Sequence, residues 1–522
     1  MPKWLEAAVF YEIYPQSFLD TNGDGIGDFE GIIRKLDYIK DLGCNALWLN
    51  PCFDSPFKDA GYDVRDYKKA ASRYGTNDDL TRLFTEAHKR DMRVLLDLVP
   101  GHTSEEHPWF LESKNAEPTE YRNRYIWSDS WIYWGNSNIR FIAGEAERNG
   151  VYIINFFKCQ PALNYGFLNP AEPWQLPTDH PDVLATREAL KEVMRFWLDA
   201  GCDGFRVDMA DSLVKNDDAD KSGVSAIWRD IRAMLDAGYP EAALVSEWSR
   251  PDCSLKNGFH MDFLLDHDGS GYRSLVRNYS FDREGRLTED TSYFRRDSTG
   301  DITRFLDQYM PWYESVKDDG FISLISGNHD TPRISRSLSP RELALFYGMA
   351  FTMPGVPFLY YGDEIGMRYL QLPTKEGGYT RTGSRTPMQW SGGKNRGFSE
   401  AAADKLYLPV DPAPDAPTVE AQEKDPDSLL NTVKALLRLR RAENDLQAKP
   451  NLEILYAKKG SRPVVYRRGS FVMGLNPSAE AARITGLPVE KPGTGVFSIG
   501  TDGALYSGTC VLGPQNFAVW HT

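Results

Sequence analysis

Six cysteines in 522 residues are too few for a disulfide scaffold. Cys44, Cys52, Cys159, Cys202, Cys253 and Cys510 also form no CxxC pair of the kind that holds zinc or runs thiol chemistry. Free thiols are expected. Apolar runs of about 18 residues, the length that crosses a bilayer, are missing. The opening Met1-Pro2-Lys3-Trp4-Leu5-Glu6 lacks the cationic segment and apolar run of a secretory signal. A cytoplasmic protein with no membrane partner is expected. Positive charge is in short supply, with 60 Lys and Arg against 74 Asp and Glu and a net charge of −14. Such a surface is repelled by phosphate backbones, which argues against a nucleic-acid partner. No internal repeat is seen.

What is present is a long alternation of short apolar strands with amphipathic helices. Strands are expected at 9–13, 46–49, 93–97, 204–208, 243–247, 260–263, 321–325 and 356–360. Helices are expected at 32–42, stopped by Gly43, and at 80–90, 184–200 and 429–441. The last of these is basic, and its charge reads as a solvated face. Unbroken apolar strands suit burial on both faces. Eight strand–helix units predict an α/β fold, a (β/α)₈ TIM barrel. An irregular stretch over 102–175 is long enough to be functional. Beyond about 446, short alternating strands with Gly and Pro turns predict an antiparallel β domain.

Three acids stand at strand ends. Gly204-Phe205-Arg206-Val207-Asp208 carries a cation and a carboxylate two residues apart, hence on one face of a strand. The cation keeps Asp208 ionised and oriented. Glu247 ends the next strand, and Asp330 closes Gly327-Asn328-His329-Asp330. A carboxylate pair with a third acid beside it is what glycosidic-bond chemistry in a barrel needs.

With Gly61-Tyr62-Asp63, Asp97-Leu98-Val99-Pro100-Gly101-His102 and Arg385-Thr386-Pro387-Met388-Gln389-Trp390, these segments resemble the alpha-amylase superfamily of glycoside hydrolases. Within it they resemble the oligo-1,6-glucosidase and alpha-glucosidase branch. The resemblance covers almost the whole chain. It implies a catalytic barrel over 1–101 and 176–445, an inserted B domain over 102–175 and a C-terminal β-sandwich over 446–522. It implies a retaining double displacement, with Asp208 as nucleophile, Glu247 as acid and base about 5–5.5 Å away, and Asp330 as stabiliser of the distorted sugar. Tyr62 would stack on a sugar ring, His102 and His329 would bond hydroxyls, and Asp63 with Arg385 would hold the terminal glucose. Phe156 and Arg206 complete the expected substrate contacts. The implied activity is exo-acting alpha-glucosidase action on short oligosaccharides. The alternative is glucosyl transfer or isomerisation of the sucrose isomerase, trehalose synthase or phosphorylase type. Departures from the family pattern at Gly101, Ala162 and Met209 leave linkage and acceptor open. So does a short 367–384 segment, near the length found in trehalose synthases. The oligomeric state is also open.

Asp20-Thr21-Asn22-Gly23-Asp24-Gly25-Ile26-Gly27-Asp28 sets oxygen side chains at alternate positions, with glycines for a tight wrap. Hard oxygen donors at that spacing predict a structural Ca²⁺ held by Asp20, Asn22, Asp24, Asp28 and the Ile26 carbonyl, with Mg²⁺ as a possible occupant.

Overall fold

The computed structural model describes residues 1–130, 139–143, 145–282, 287–377 and 381–522. Residues 131–138 and 144 of the 102–175 segment, and 378–380 of the 367–384 segment, lie outside the described residues.

Eight parallel strands form one sheet: β1 (Phe10–Ile13), β2 (Ala46–Leu49), β3 (Arg93–Leu98), β4 (Gly204–Val207), β5 (Ala243–Ser246), β6 (Met261–Phe263), β7 (Phe321–Ser323) and β8 (Phe358–Tyr360). Their order is β7-β6-β5-β4-β3-β2-β1-β8. A parallel bridge between Ile325 and Phe358, with Phe358 N donating to Leu324 O at 3.0 Å, brings the edges together into the TIM-type barrel. Strands β1, β2, β4 and β5 are buried at every position, including Glu12 in β1 and Arg206 in β4 among their apolar residues. Trp48 stacks on Phe263 at 5.3 Å and Phe263 meets Phe358 edge-on at 4.8 Å, so aromatic rings fill the barrel interior.

Register carries the chemistry. Arg206 on β4 lies beside Asp97 on β3 and Val245 on β5. β4 starts at Gly204, whose φ is 136° and where a Cβ would stand 2.0 Å from the Ala243 carbonyl oxygen. Glycine is what lets β4 lie this close to β5.

The single helix expected over 32–42 is two, Phe29–Arg34 and Leu36–Leu42. The break is Lys35, with φ −108° and ψ 4°, whose ammonium sits 4.0 Å over the Trp390 ring. The stop at Gly43 is left-handed, φ 109°. The basic helix Leu429–Ala442 is not solvated along its whole charged face. Arg440 is buried and donates to the carbonyls of Phe351 at 2.8 Å and Met353 at 3.1 Å, bracing the end of helix Pro340–Thr352.

After β3 the chain forms helix Pro108–Ser113 and a small antiparallel sheet of Trp127–Ser128, Val151–Ile154 and Arg140–Ala143. The bridge between His102 and Ala162 fastens this segment to the end of β3. Near the C-terminus, a five-stranded and a three-stranded antiparallel sheet enclose Val465, Val472, Leu512 and Trp520. All six cysteines are free thiols. Among the described residues, no helix is long and apolar enough to cross a membrane.

Candidate active site

Arg206 is buried at the end of β4 and holds three carboxylates from three strands. Its Nη1 lies 2.9 Å from Asp97 Oδ1 and 3.0 Å from Asp208 Oδ1, and its Nη2 lies 2.8 Å from Glu247 Oε1. Met209 N donates to Glu247 Oε2 at 3.1 Å. Met209 adopts φ 42°, a left-handed turn that costs about 1–3 kcal/mol outside glycine. That turn presents its amide to Glu247.

Three acids around one guanidinium cannot all ionise in a dry site. Burial pushes Glu247 up to about 7, with Arg206 pulling it back and Asp208 raising it further. Burial also pushes Asp208 up to about 7, opposed by Arg206 and by a hydrogen bond from Glu247. Asp97 rises to about 6 for the same first reason, with Arg206 opposing. Asp208 and Glu247 thus rise together, and the two oxygens of Glu247 accept from Arg206 and from the Met209 amide.

Asp330 is the opposite case. Its Oδ1 accepts from Arg381 Nη1 at 2.8 Å and Arg385 Nη2 at 2.7 Å. Against the upward push of burial, His329 and these two arginines hold it well below the usual carboxylate range. Burial also pulls His329 far below its ordinary value, so near neutrality the imidazole is uncharged and the guanidiniums do the holding. His329 Nδ1 lies 3.0 Å from Glu12 Oε1 and 2.9 Å from Asn50 Nδ2. Burial raises Glu12 well above its ordinary value, with hydrogen bonds from Asn50 and His329 opposing.

Asp208, Glu247 and Asp330 open onto one cavity of about 350 Å³. Tyr62, His102 and Phe156 also line it. The Tyr62 hydroxyl lies 2.6 Å from His329 Nε2 and donates to Asp97 Oδ2 at 3.1 Å. Its ring stacks on His329 at 5.3 Å. His102 lies 3.1 Å from the Tyr62 carbonyl and 3.2 Å from Asn155 Nδ2. Burial pulls it down to about 3, which leaves a neutral ring.

Four expected substrate residues, Asp63, Arg206, His329 and Arg385, are not among those lining the cavity, and Asp63 and Arg385 serve other groups. The Asp63 carboxylate is taken up by Ser55 Oγ and by the amides of Lys58 and Asp59, each at 3.0 Å, so it fixes the loop. Arg385 lies beneath Asp330 and donates through Nε to the His329 carbonyl at 2.8 Å. Neither is among the described residues lining the cavity. That wall belongs to Asp59 and Arg381, paired at 2.9 Å with side chains 3% and 11% exposed. Gln160 Nε2 supports Asp59 from behind at 2.8 Å. The departure at Gly101 also has a counterpart. A Cβ there would stand 2.7 Å from Asn155 Nδ2, while Lys215 Nζ donates to Asn155 Oδ1 at 3.2 Å and Ser212 O at 2.6 Å. A protein ammonium thus occupies this junction.

In the 20–28 loop the oxygen donors suit a hard cation in kind. Asp20 accepts from the amides of Asn22, Gly23 and Gly25, Asp24 from Ile26, and Asp28 from Thr21 and Gly31. Asp28 thereby caps the helix that follows. Among the described residues, no three His, Cys, Asp or Glu side chains group as metal ligands.

A family model described as "Alpha amylase, catalytic domain" matches residues 12–449. The trehalose synthase/amylase of Mycolicibacterium smegmatis is 34% identical over 486 residues, covering 84% of this chain and 76% of that protein. The glucan 1,6-alpha-glucosidase of Streptococcus pneumoniae is 31% identical over 503 residues, covering 87% of each. A probable oligo-1,6-glucosidase of Bacillus subtilis is 32% identical over 506 residues, covering 84% of each. Among solved structures, isomaltulose synthase from Erwinia rhapontici with D-glucose matches with a TM-score of 0.80 and 26% identity, over 100% of this chain and 99% of that one. The chain therefore belongs to the alpha-amylase family of glycoside hydrolases, in the branch that holds the oligo-1,6-glucosidases.

Proposed function

We propose that the protein is a retaining, exo-acting alpha-glucosidase that removes single glucosyl units from short oligosaccharides. Asp208 attacks the anomeric carbon as the bond to the leaving sugar breaks, and Glu247 gives its proton to the departing oxygen. Glu247, now ionised, takes a proton from water, and that water displaces Asp208 with the original anomeric configuration restored. Asp330, ionised between two arginines, stabilises the positive charge that develops on the sugar. The observation that carries this reading is the Arg206 link between Asp208 and Glu247, on a cavity whose wall is the Asp59–Arg381 ion pair. A wall of fixed, opposite charges blocks a continuing chain and offers donors and acceptors to the hydroxyls of a terminal glucose.

A second reading keeps the glucosyl-enzyme and replaces water by a sugar hydroxyl. Its support is the likeness to trehalose synthases and an isomaltulose synthase. Product analysis on maltose, isomaltose and sucrose separates the two. Free glucose in step with bond cleavage supports hydrolysis. An isomeric disaccharide without free glucose supports transfer. A rate that depends on phosphate marks a phosphorylase, and no turnover of any of the three sugars refutes all these readings.

The same reading divides the chain into a catalytic barrel of 1–101 and 176–445, an insert of 102–175 and a C-terminal β-sandwich of 446–522. Six free thiols support a reducing compartment, the cytoplasm. The 20–28 loop is assigned a structural Ca²⁺, replaceable by Mg²⁺, on the strength of its alternating oxygen donors. The melting temperature then falls on chelation and recovers with Ca²⁺; a chelated protein that melts where the untreated one does refutes the site.

A further inference from the structure

Away from the catalytic cavity, and sharing no lining residue with it, lies a larger cleft of about 650 Å³. One side is the helix Pro181–Asp199. Ala185, Glu188, Ala189 and Glu192 follow one another at three- and four-residue spacing, so they share one face of it. The two alanines make room, and the two glutamates supply acceptors. The other side is aromatic, built from His107, Trp109 and Tyr121. The Trp109 and Tyr121 rings lie 6.3 Å apart at 14°, near one plane direction. The Arg124 guanidinium lies 4.8 Å from one centroid and 5.6 Å from the other.

The polar groups of this wall are unspent. His107 is 5% exposed, and its Nδ1 accepts from the Trp109 amide at 3.1 Å. Burial, with Arg124 nearby, pulls the ring down to about 3, so the imidazole is neutral. A neutral ring that accepts at Nδ1 carries its proton on Nε2. That Nε2–H has no hydrogen-bond partner among the described residues, and it is not among the buried unpartnered atoms, so it is open to solvent or a ligand. The Trp109 indole N–H and the Tyr121 hydroxyl are likewise without a hydrogen-bond partner among the described residues.

We propose that this cleft is a second, non-catalytic glycan-binding site for neutral alpha-glucan. A glucosyl ring presents an apolar face to an aromatic wall and, around its edge, hydroxyls that both accept and donate. The wall supplies donors on one side, and Glu188 and Glu192 supply acceptors on the other. Charge favours a neutral ligand. Arg65, Lys68 and Arg124 are balanced by Asp66, Glu188 and Glu192 around the same opening, so no single sign draws an anion or a cation. The volume is within the range of small-ligand sites and larger than the catalytic cavity, which suits more than one glucosyl unit.

The test uses β-cyclodextrin, a ring of alpha-glucosyl units with no terminal glucose for a closed catalytic pocket to accept. Binding to the full chain is followed by calorimetry. The expected result is saturable binding that weakens about tenfold or more on loss of an aromatic anchor by Trp109→Ala, and equally in Ala189→Arg, which fills the cleft from the helix side. Hydrolysis of p-nitrophenyl alpha-glucoside by both variants stays within about twofold of the parent, which also reports that they fold. No binding of β-cyclodextrin, or binding that survives both substitutions, overturns the proposal.

Discussion

The structure separates two arginines that stand four residues apart in one loop, and Arg381→Met against Arg385→Met is the sharpest test of the site. Arg381 faces the cavity and bridges Asp59 at 2.9 Å and Asp330 at 2.8 Å. A bound sugar would meet two of its hydrogen bonds or the groups they orient. Charge-assisted hydrogen bonds are worth about 1.5–3 kcal/mol each. Two of them make about 3–6 kcal/mol, or a fall in kcat/KM of about 10² to 10⁴ at about 1.4 kcal/mol per tenfold. Asp330 keeps Arg385 at 2.7 Å in that variant, so its loss of stability should be modest. Arg385→Met removes a guanidinium that is 2% exposed and lies between Asp330, the His329 carbonyl and Glu376. Breaking a buried pair costs about 3–5 kcal/mol, and that cost should appear first as a lower melting temperature. The assay is steady-state hydrolysis of p-nitrophenyl alpha-glucoside beside thermal unfolding of the same preparations. If Arg381→Met keeps parental kcat/KM while Arg385→Met loses it at unchanged melting temperature, the wall assigned to Asp59 and Arg381 is wrong.

Asp208→Asn should lower turnover by several orders of magnitude with the fold retained; parental activity would remove the nucleophile assignment. The proton on Glu247 is lost near pH 7, so kcat/KM for maltose should fall as pH rises through that value. A profile flat through the alkaline range would contradict Glu247 as the acid. Glu364 is buried, accepts from Tyr11 OH at 2.7 Å and Tyr38 OH at 2.8 Å, and burial raises it from 4.5 to about 7. Its folded value is the higher one, so the stability it contributes is full below about 4.5 and is lost as pH rises through about 7. At about 1.4 kcal/mol for each pH unit the effect is about 3 kcal/mol. Glu364→Gln should flatten that part of the stability profile, measured by denaturant unfolding across the same pH range.

The barrel was legible because period and burial agree. Ala46–Leu49 is apolar and buried at each position, and Ala243–Ser246 is buried throughout and apolar up to its last residue. Asp208 and Glu247 were legible because each directly follows a strand, whereas Asp330 stands seven residues beyond β7 and was legible by its motif. Arg206 and Asp208 share a face by alternation alone, and the register with β3 then supplies Asp97. Loops carry no such rule. Asp63 and Arg385 sit in the more quotable motifs, yet in both loops the residue that reaches the cavity comes four positions earlier, Asp59 and Arg381. In the first loop the reason is visible. Asp63 turns back to cap the amides of Lys58 and Asp59, and that turn is what aims Asp59 outward. Aspartate bonding to nearby backbone is a common turn device, so an aspartate four residues after another in a Gly-containing loop was a usable signal. Glu12 had no such signal, since a carboxyl in an apolar strand gives no hint that it ends beside His329.

The count of charges explains why one site can hold a proton and an anion side by side. Around Arg206 stand three carboxyls, Asp97, Asp208 and Glu247. Around Arg381 and Arg385 stand Asp59 and Asp330 under 3 Å and Glu376 at 3.7 Å. The half with one cation for three acids is under-compensated, and burial raises all three; the proposed mechanism requires the retained proton on Glu247. The half with two cations for three acids is better compensated, and both arginines bond Asp330, which stays charged even as burial opposes it. Environments that drive neighbouring carboxyls apart in this way are how one site runs acid and anion chemistry at a single pH. The proposed mechanism needs an acid for the leaving oxygen and an anion to face the developing cation, and the placement of three arginines supplies the electrostatic contrast for both.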